Sequence, residues 1–354
     1  MEISFAGSYG RSRLIKTELL SNEYLYRISE APNFEEIIRI LNETSFKKDI
    51  VDLFNSYEGK ALVEIASNRR MIELIVRLAE GTPPSARTFI SAYLSRWDIE
   101  SIKSLLTAKF LNRSITESDI FLVNSKNIPI GVRTSLLTKE DYNIMSEEGD
   151  IESISKYLLK MGYGAQIMKN MEEFRKTGDL SILLYSLDIM QYERLMDSLK
   201  FFRGDEGVIM RYFRAKIDER NIMILMKGNS LKMSFDLLLP GLLAYGNIRI
   251  SRLEEFFGQL KSNDDHVKMI DDLLSINIDQ DINSKTGVTA LEQKIQGSIL
   301  RNYIQLLSTQ SNSLGSIFSV MLRAENERDN IRKIINGKAY GFEPSRIRDM
   351  LIMV

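Results

Sequence analysis

Two pairs of acids, Asp264 with Asp265 and Asp271 with Asp272, flank the only histidine of the chain, His266. Clustered aspartates hold magnesium in all-helical enzymes that bind diphosphates, because their carboxylates supply the hard oxygen donors this ion takes. Here the two pairs stand too far apart for a D-D-x-x-D spacing, so the expectation is a solvated helix and its cap. A single histidine rules out a two-histidine metal site, and His266 reads as an exposed residue at a helix start. No G-x-x-x-x-G-K-[ST] loop occurs. "GNSLK" and "INGKAYG" lack both the spacing and the hydroxyl that would meet magnesium, so ATP hydrolysis by this chain is not expected. With no cysteine, thiolate nucleophiles, disulfides and cysteine-ligated zinc are absent, which fits an intracellular protein. The expectation is a chain with no catalytic, cofactor or metal site.

The elements that would carry such residues are helical. Only 6 prolines interrupt 354 residues, and runs such as 11–30, 86–112, 151–176, 207–230 and 316–336 place apolar residues at three- and four-residue intervals. Sustained alternation of the strand type is missing. At 44% hydrophobic and 27% charged the composition suits a soluble protein of two or three domains. The N-terminus, "MEISFAGSYGRSRL", lacks the pattern of a signal peptide. The apolar stretch "LLLPGLLAYG" is broken by proline and glycine and falls short of the ~20 residues a membrane span needs. A net charge of −1 with interleaved signs gives no positive field to attract nucleic acid. Trp97 and the 16 methionines read as core, since helical spacing of such residues usually means packing.

One arrangement recurs three times. Aligning Asp98, Asp218 and Glu327 brings Ser101, Asn221 and Asn330 into one column, followed by Ile102, Ile222 and Ile331. The apolar pairs Leu105–Leu106, Leu225–Met226 and Ile334–Ile335 come next, and Lys109, Asn229 and Lys338 close the pattern. Upstream stand "NFEEIIRILNETSF" from Asn33, "DIESISKYLLKMGYG" from Asp150 and, more loosely, "DHVKMIDDLLSI" from Asp265, each opened by a residue able to cap a helix. The expectation is an all-α protein of three related helical domains, 1–125, 126–245 and 246–354. The boundaries are set by "NSKNIPIGVRTSLLTKED" and "LLLPGLLAYGNIRIS", where proline and glycine stop a helix.

On a helix, the acid, the Asn or Ser and the apolar residues fall on one stripe, so polar groups enter an apolar seam. Left unpaired, each would cost about 1 to 3 kcal/mol, so partners are required. Arg214 and Arg323, four residues before the acid, are the natural ones within the helix. Two roles stay open for this column: a repeated docking feature, or a polar mark that fixes how helices pack inside each domain.

The stretch from Phe318 to the last residue, "FSVMLRAENERDNIRKIINGKAYGFEPSRIRDMLIMV", resembles the C-terminal signature of the C-type subunits of archaeal A-ATP synthases, a family whose eukaryotic counterpart is the d-type subunit of the vacuolar ATPase. Glu325, Glu327, Asn330, Ile331, Arg332, Gly337, Lys338 and Gly341 stand where that signature wants them. The similarity extends over the whole chain, since the family is itself a threefold repeat opening with a tyrosine and a basic helix, matched by "SYGRSRLIKTELLS". Ser101, in place of an asparagine, and Phe46, in place of a tyrosine, depart from the pattern.

The resemblance implies three helical domains in a pseudo-threefold funnel. It also implies a non-catalytic role: seating the rotating central stalk (D- and F-type subunits) on the membrane proteolipid ring and transmitting torque, peripheral to the cytoplasmic face of the membrane. The repeat-signature residues are then Asp98, Ser101, Asp218, Asn221, Glu327, Asn330 and Arg332. Leu238, Leu242 and Leu243, expected to be exposed near a domain join, are the candidates for the ring side. The alternatives are a generic helical-repeat scaffold unrelated to an ATPase and, through the aspartates at 264–272, a magnesium-dependent enzyme. Solenoid repeats of 20 to 50 residues are much shorter than the units here.

Overall fold

The computed structural model describes residues 5–113, 137–200, 206–260, 266–276 and 287–354. Among these residues every regular element is helical, as the three- and four-residue apolar spacing requires. The chain is all-α. It divides into two compact units, Met1–Phe202 with Ser311–Met353, and Arg203–Gln310. The boundary read near 125 lies outside the described residues, and the one near 245 falls within the second unit.

The first unit opens with α1 (Ala6–Glu18), α2 (Asn22–Glu30), α3 (Phe34–Asn42), α4 (Lys47–Leu53) and the long α5 (Gly59–Ala79). The block at Asn33 behaves as its sequence demands. The Asn33 side chain accepts the Glu36 N–H at 2.9 Å, Glu35 and Glu36 occupy the first turn, and Ile37, Ile40 and Leu41 turn inward. Burying these isoleucines rather than propensity holds so short a helix, since an isolated helix of this length is marginal in water. After Gly81, at φ 76°, Pro84 occupies the first turn of α6 (Pro84–Phe110), where its missing N–H costs nothing.

The same unit continues with α7 (Lys139–Glu147), α8 (Ile151–Leu159), α9 (Gly164–Lys169), α10 (Met171–Thr177) and α11 (Ser181–Leu199). Asp150 caps α8 by accepting the Ser153 N–H at 2.8 Å. Here α11 packs along α6 over a core that includes Ile102, Leu106, Ile154, Leu158, Ile167 and Leu183.

In the second unit, α12 (Glu206–Ser230) is followed by α13 (Phe235–Leu238), a 3-10 turn at Leu239–Gly241, α14 (Ile250–Gln259), α15 (His266–Leu274) and α16 (Val288–Ser308), the last lying along α12. The chain then returns to the first unit as α17 (Leu314–Ala339) and α18 (Pro344–Asp349). There α17 packs against α5 and α1. Ile331, Ile334, Ile335 and Ile347 join Ile28, Ile37, Leu41, Leu62 and Ala66 in one core, so the two ends of the sequence fold against each other.

The three helices that carry the repeated sequence pattern stop in the same way. The helices α6, α12 and α17 each end on a residue in the left-handed region, Asn112 at φ 52°, Lys232 at φ 57° and Gly341 at φ 68°. In each, the next residue's N–H reaches back to a carbonyl five residues earlier. The bonds are Arg113 to Ala108 at 2.8 Å, Met233 to Gly228 at 2.9 Å and Phe342 to Gly337 at 2.8 Å. This is the Schellman stop, which satisfies carbonyls the helix end would otherwise leave open.

Candidate functional site: the acid–asparagine clasp

The repeated column lies in the middle of α6, α12 and α17, and its members are among the most buried polar groups of the protein. Asn221 and Asn330 are 0% exposed, and Asp98, Asp218 and Glu327 are 1%, 2% and 6% exposed. Such burial demands partners, and for α12 and α17 they are mostly backbone groups of other segments.

Asn221 donates through Nδ2 to the Leu243 carbonyl at 2.8 Å and accepts the Leu243 N–H on Oδ1 at 2.9 Å. Asn330 makes the identical pair with Ile352, at 2.8 Å and 2.9 Å, and Asn326 adds a second donor to the Ile352 carbonyl at 2.8 Å. A carboxamide carries a donor and an acceptor side by side, so one side chain closes both backbone groups of a residue, as a neighbouring strand would. Neither aspartate nor leucine can do this. Ser101 instead donates to the Trp97 carbonyl of its own helix at 2.9 Å.

The acids hold further segments. Asp218 accepts the backbone N–H of Asn247 at 2.9 Å, its side-chain amide at 3.0 Å and the Ile248 N–H at 3.1 Å. Gly246 leaves the room: a Cβ there would run into the Asp218 carboxyl. Burial pushes the Asp218 pKa up, and these hydrogen bonds together with Arg214 pull it back. Glu327 accepts the N–H of Leu20. Burial raises its pKa to about 7 against the pull of that N–H and of Arg70. Ile248 and Leu20 each stand two residues before a helix, α14 and α2, so both acids hold the segment that leads into one. Asp98 accepts the Tyr163 hydroxyl at 2.7 Å, and burial beside Asp98 holds that phenol protonated well above its usual range.

The remaining expected residues separate. Arg332 is half exposed and pairs with Glu64 through Nε at 3.2 Å. Arg214 acts on Asp218 electrostatically, whereas Arg323 is half-buried and its Nε has no hydrogen-bond partner among the described residues. Leu238, Leu242 and Leu243, expected to be exposed, are instead buried at 7%, 8% and 2%. The cause is local. Leu238 packs onto Gly228, where any Cβ would overlap its methyl groups, and Leu243 is drawn in by Asn221. The exposed leucines are their neighbours Leu237 and Leu239, at 68% and 41%. Trp97 is core, with the Arg96 and Arg328 guanidinium groups 4.7 Å and 4.9 Å from its ring centroid.

Of the four aspartates, Asp264 and Asp265 lie outside the described residues, while Asp271 and Asp272 lie on α15. Among the described residues no three acids, histidines or cysteines cluster as metal ligands. His266 opens α15, with Nε2 3.4 Å from the Leu260 carbonyl. Among these residues, too, no helix is long and apolar enough to cross a membrane.

Sequence reasoning missed the groups on the receiving side, Leu20, Leu243, Asn247, Ile248 and Ile352. One signal could have found two of them: each asparagine meets its partner 22 residues downstream.

Residues 9–350 match the family described as ATP synthase (C/AC39) subunit. The chain is 35% identical over 357 residues to a Thermoplasma acidophilum protein named as the C subunit of an A-type ATP synthase, covering 100% of this chain and 99% of that one. Its counterpart in Thermoplasma volcanium is 33% identical over 356 residues, covering 99% of both. A Pyrococcus furiosus protein of the same name is 24% identical over 348 residues, covering 96% of this chain and 88% of its own.

Proposed function

From the premise that this chain belongs to the ATP synthase (C/AC39) subunit family, we propose that it is a non-catalytic rotor component. It seats the central stalk, of D- and F-type subunits, on the membrane proteolipid ring and carries torque between them during ATP synthesis coupled to ion transport. It does so peripherally, at the cytoplasmic face of the membrane. In this reading the three sequence repeats, 1–125, 126–245 and 246–354, stand about a pseudo-threefold axis as a funnel.

The observation that carries the proposal is the clasp. A part that transmits torsional load must not yield between its helices, and loops are ordinarily where a fold yields. Here the segments leaving α12 and α17 are tied back to those helices by fully buried two-point hydrogen bonds. In a dry environment such bonds are expensive to open, because each leaves a desolvated donor or acceptor behind. The acid–asparagine column thus stiffens the segments that follow α12 and α17. Docking is left to exposed apolar side chains, with Leu237 and Leu239 replacing their buried neighbours as the ring-side candidates.

The absence of native cysteine makes a direct test clean. Leu239→Cys, incorporated into the complex in membrane vesicles, is expected to cross-link to a proteolipid, with ATP-driven turnover continuing because both partners belong to the rotor. A cross-link to a stator component, or one to the proteolipid that stops turnover, would count against the rotor assignment.

A further inference from the structure

The joint between α1 and α2 is where the N-terminal end of the chain is fastened, by a part-buried ion pair and by the buried charged groups Arg70 and Glu327. The Arg77 guanidinium takes both oxygens of the Glu18 carboxylate, at 2.8 Å and 2.6 Å. Arg70 donates to the carbonyls of Ser45 at 2.9 Å and Glu18 at 3.2 Å, and the Ser45 hydroxyl reaches that Glu18 carbonyl at 2.7 Å. One residue beyond Leu19, the Leu20 N–H ends on Glu327 of α17. Arg70 is thereby shared: it also lies 3.6 Å from a Glu18 carboxylate oxygen and 3.8 Å from Asp49, a carboxylate only 1% exposed.

Every helix packed against α17 contributes charges that must be counted. From α5, Arg70 acts on Glu327 directly, Arg77 is committed to Glu18, and Glu64 is committed to Arg332. From α1, Glu18 competes for Arg70, while Arg11 is held by Glu80 at 2.6 Å. Glu30 of α2 and Arg348 of α18 pair with each other at 2.5 Å. Behind α5, Asp49 of α4 draws on Arg69 at 3.3 Å as well as on Arg70. On α17 itself, Arg328 is turned to Asn68 and Asp329, and Glu325 is taken by Arg96 and the Tyr93 hydroxyl of α6. Among the described residues, one backbone N–H and a fraction of one arginine are therefore what stabilise a charge on Glu327.

We propose that the α1–α2 joint is a proton-operated latch. With Glu327 protonated, the joint is closed at no electrostatic cost. When the proton leaves to solvent, the bare carboxylate gains by hydration, water reaches it only if the Leu20 segment lifts, and α1 loosens from α5 and α17. Burial, which places the Glu327 pKa at about 7 and that of Asp49 at about 6, sets the range in which this happens, and Asp49 reinforces it by taking more of Arg70 as it ionises.

Hydrogen exchange read by mass spectrometry on the full chain tests the latch, with rates divided by their intrinsic pH dependence. Release of one proton between pH 6 and pH 8 predicts that protection of the Leu20 and α1 amides falls about tenfold. Protection along α11 serves as the internal reference and should hold. In Glu327→Gln, which keeps an acceptor oxygen and cannot ionise, protection at the joint should not respond to pH. Equal protection at both pH values in the natural chain, relative to α11, would overturn the latch even if the variant fails to fold. Wild-type pH dependence in Glu327→Gln would overturn it as well.

Discussion

Replacing Asn221 by alanine removes two hydrogen bonds at once and leaves the Leu243 N–H and carbonyl facing a site that is 0% exposed at the asparagine and 2% exposed at the leucine. Water cannot reach them without displacing Leu243, so each orphaned group costs about 1 to 3 kcal/mol. The sum, about 2 to 6 kcal/mol, is a large share of the ~5 to 15 kcal/mol that a domain possesses. Urea denaturation of the full chain should show the loss in the transition that includes the second unit, Arg203–Gln310. Exchange of the Leu243 amide should accelerate by at least the equivalent factor. Asn221→Asp should be no milder at neutral pH, because it keeps the bond from the Leu243 N–H but turns an anionic oxygen toward the Leu243 carbonyl. An alanine variant within ~0.5 kcal/mol of the parent, the range of an ordinary surface substitution, would refute the clasp as a structural element.

Three other outcomes follow from the same geometry. Gly246→Ala should destabilise the second unit by roughly 2 kcal/mol or more, since the new Cβ displaces the Asp218 carboxyl from three hydrogen bonds; thermal melting checks it. Lys232→Gly should stabilise by about 0.5 to 1 kcal/mol, because Lys232 bears the left-handed penalty at φ 57° that Gly341 escapes at the matching helix end, read by the same denaturation curve. Asp49 and Glu327 bind protons more tightly folded than unfolded. Their contribution is thus fully present below their unfolded pKa values and is lost as pH rises through about 6 and about 7. Stability measured in urea should fall between pH 5 and pH 8, and Asp49→Asn should flatten the lower part of that decline.

The helices and the column were legible because both depend on side chains. Apolar spacing marks α6, α12 and α17, and in α12 and α17 a buried acid recurs with a buried amide because both hold backbone groups of other segments, whereas α6 carries Ser101 and its Asp98 holds the Tyr163 hydroxyl. The partners themselves were not legible. Leu20, Leu243, Ile248 and Ile352 take part through backbone groups that any residue carries, so no side chain announces them. Leu238 misleads for a related reason: beside a proline and a glycine it resembles an exposed loop residue, and its burial depends on the empty place at Gly228, ten residues earlier. The pairing of α5 with α17 was also hidden, because sequence order does not show that the first and last parts of a chain share one core. Arg323 is placed by helical spacing to serve the Glu327 carboxylate, yet that role is filled by Arg70, which arrives from α5.

The central claim, a rotor part seated between stalk and ring, is tested most directly by electron cryo-microscopy of the complex extracted intact from its own membranes. This chain is expected in the rotor, with the stalk foot on one side and the proteolipid ring on the other. Finding it on a peripheral stator, or finding the stalk resting on the ring with this chain absent, would contradict it.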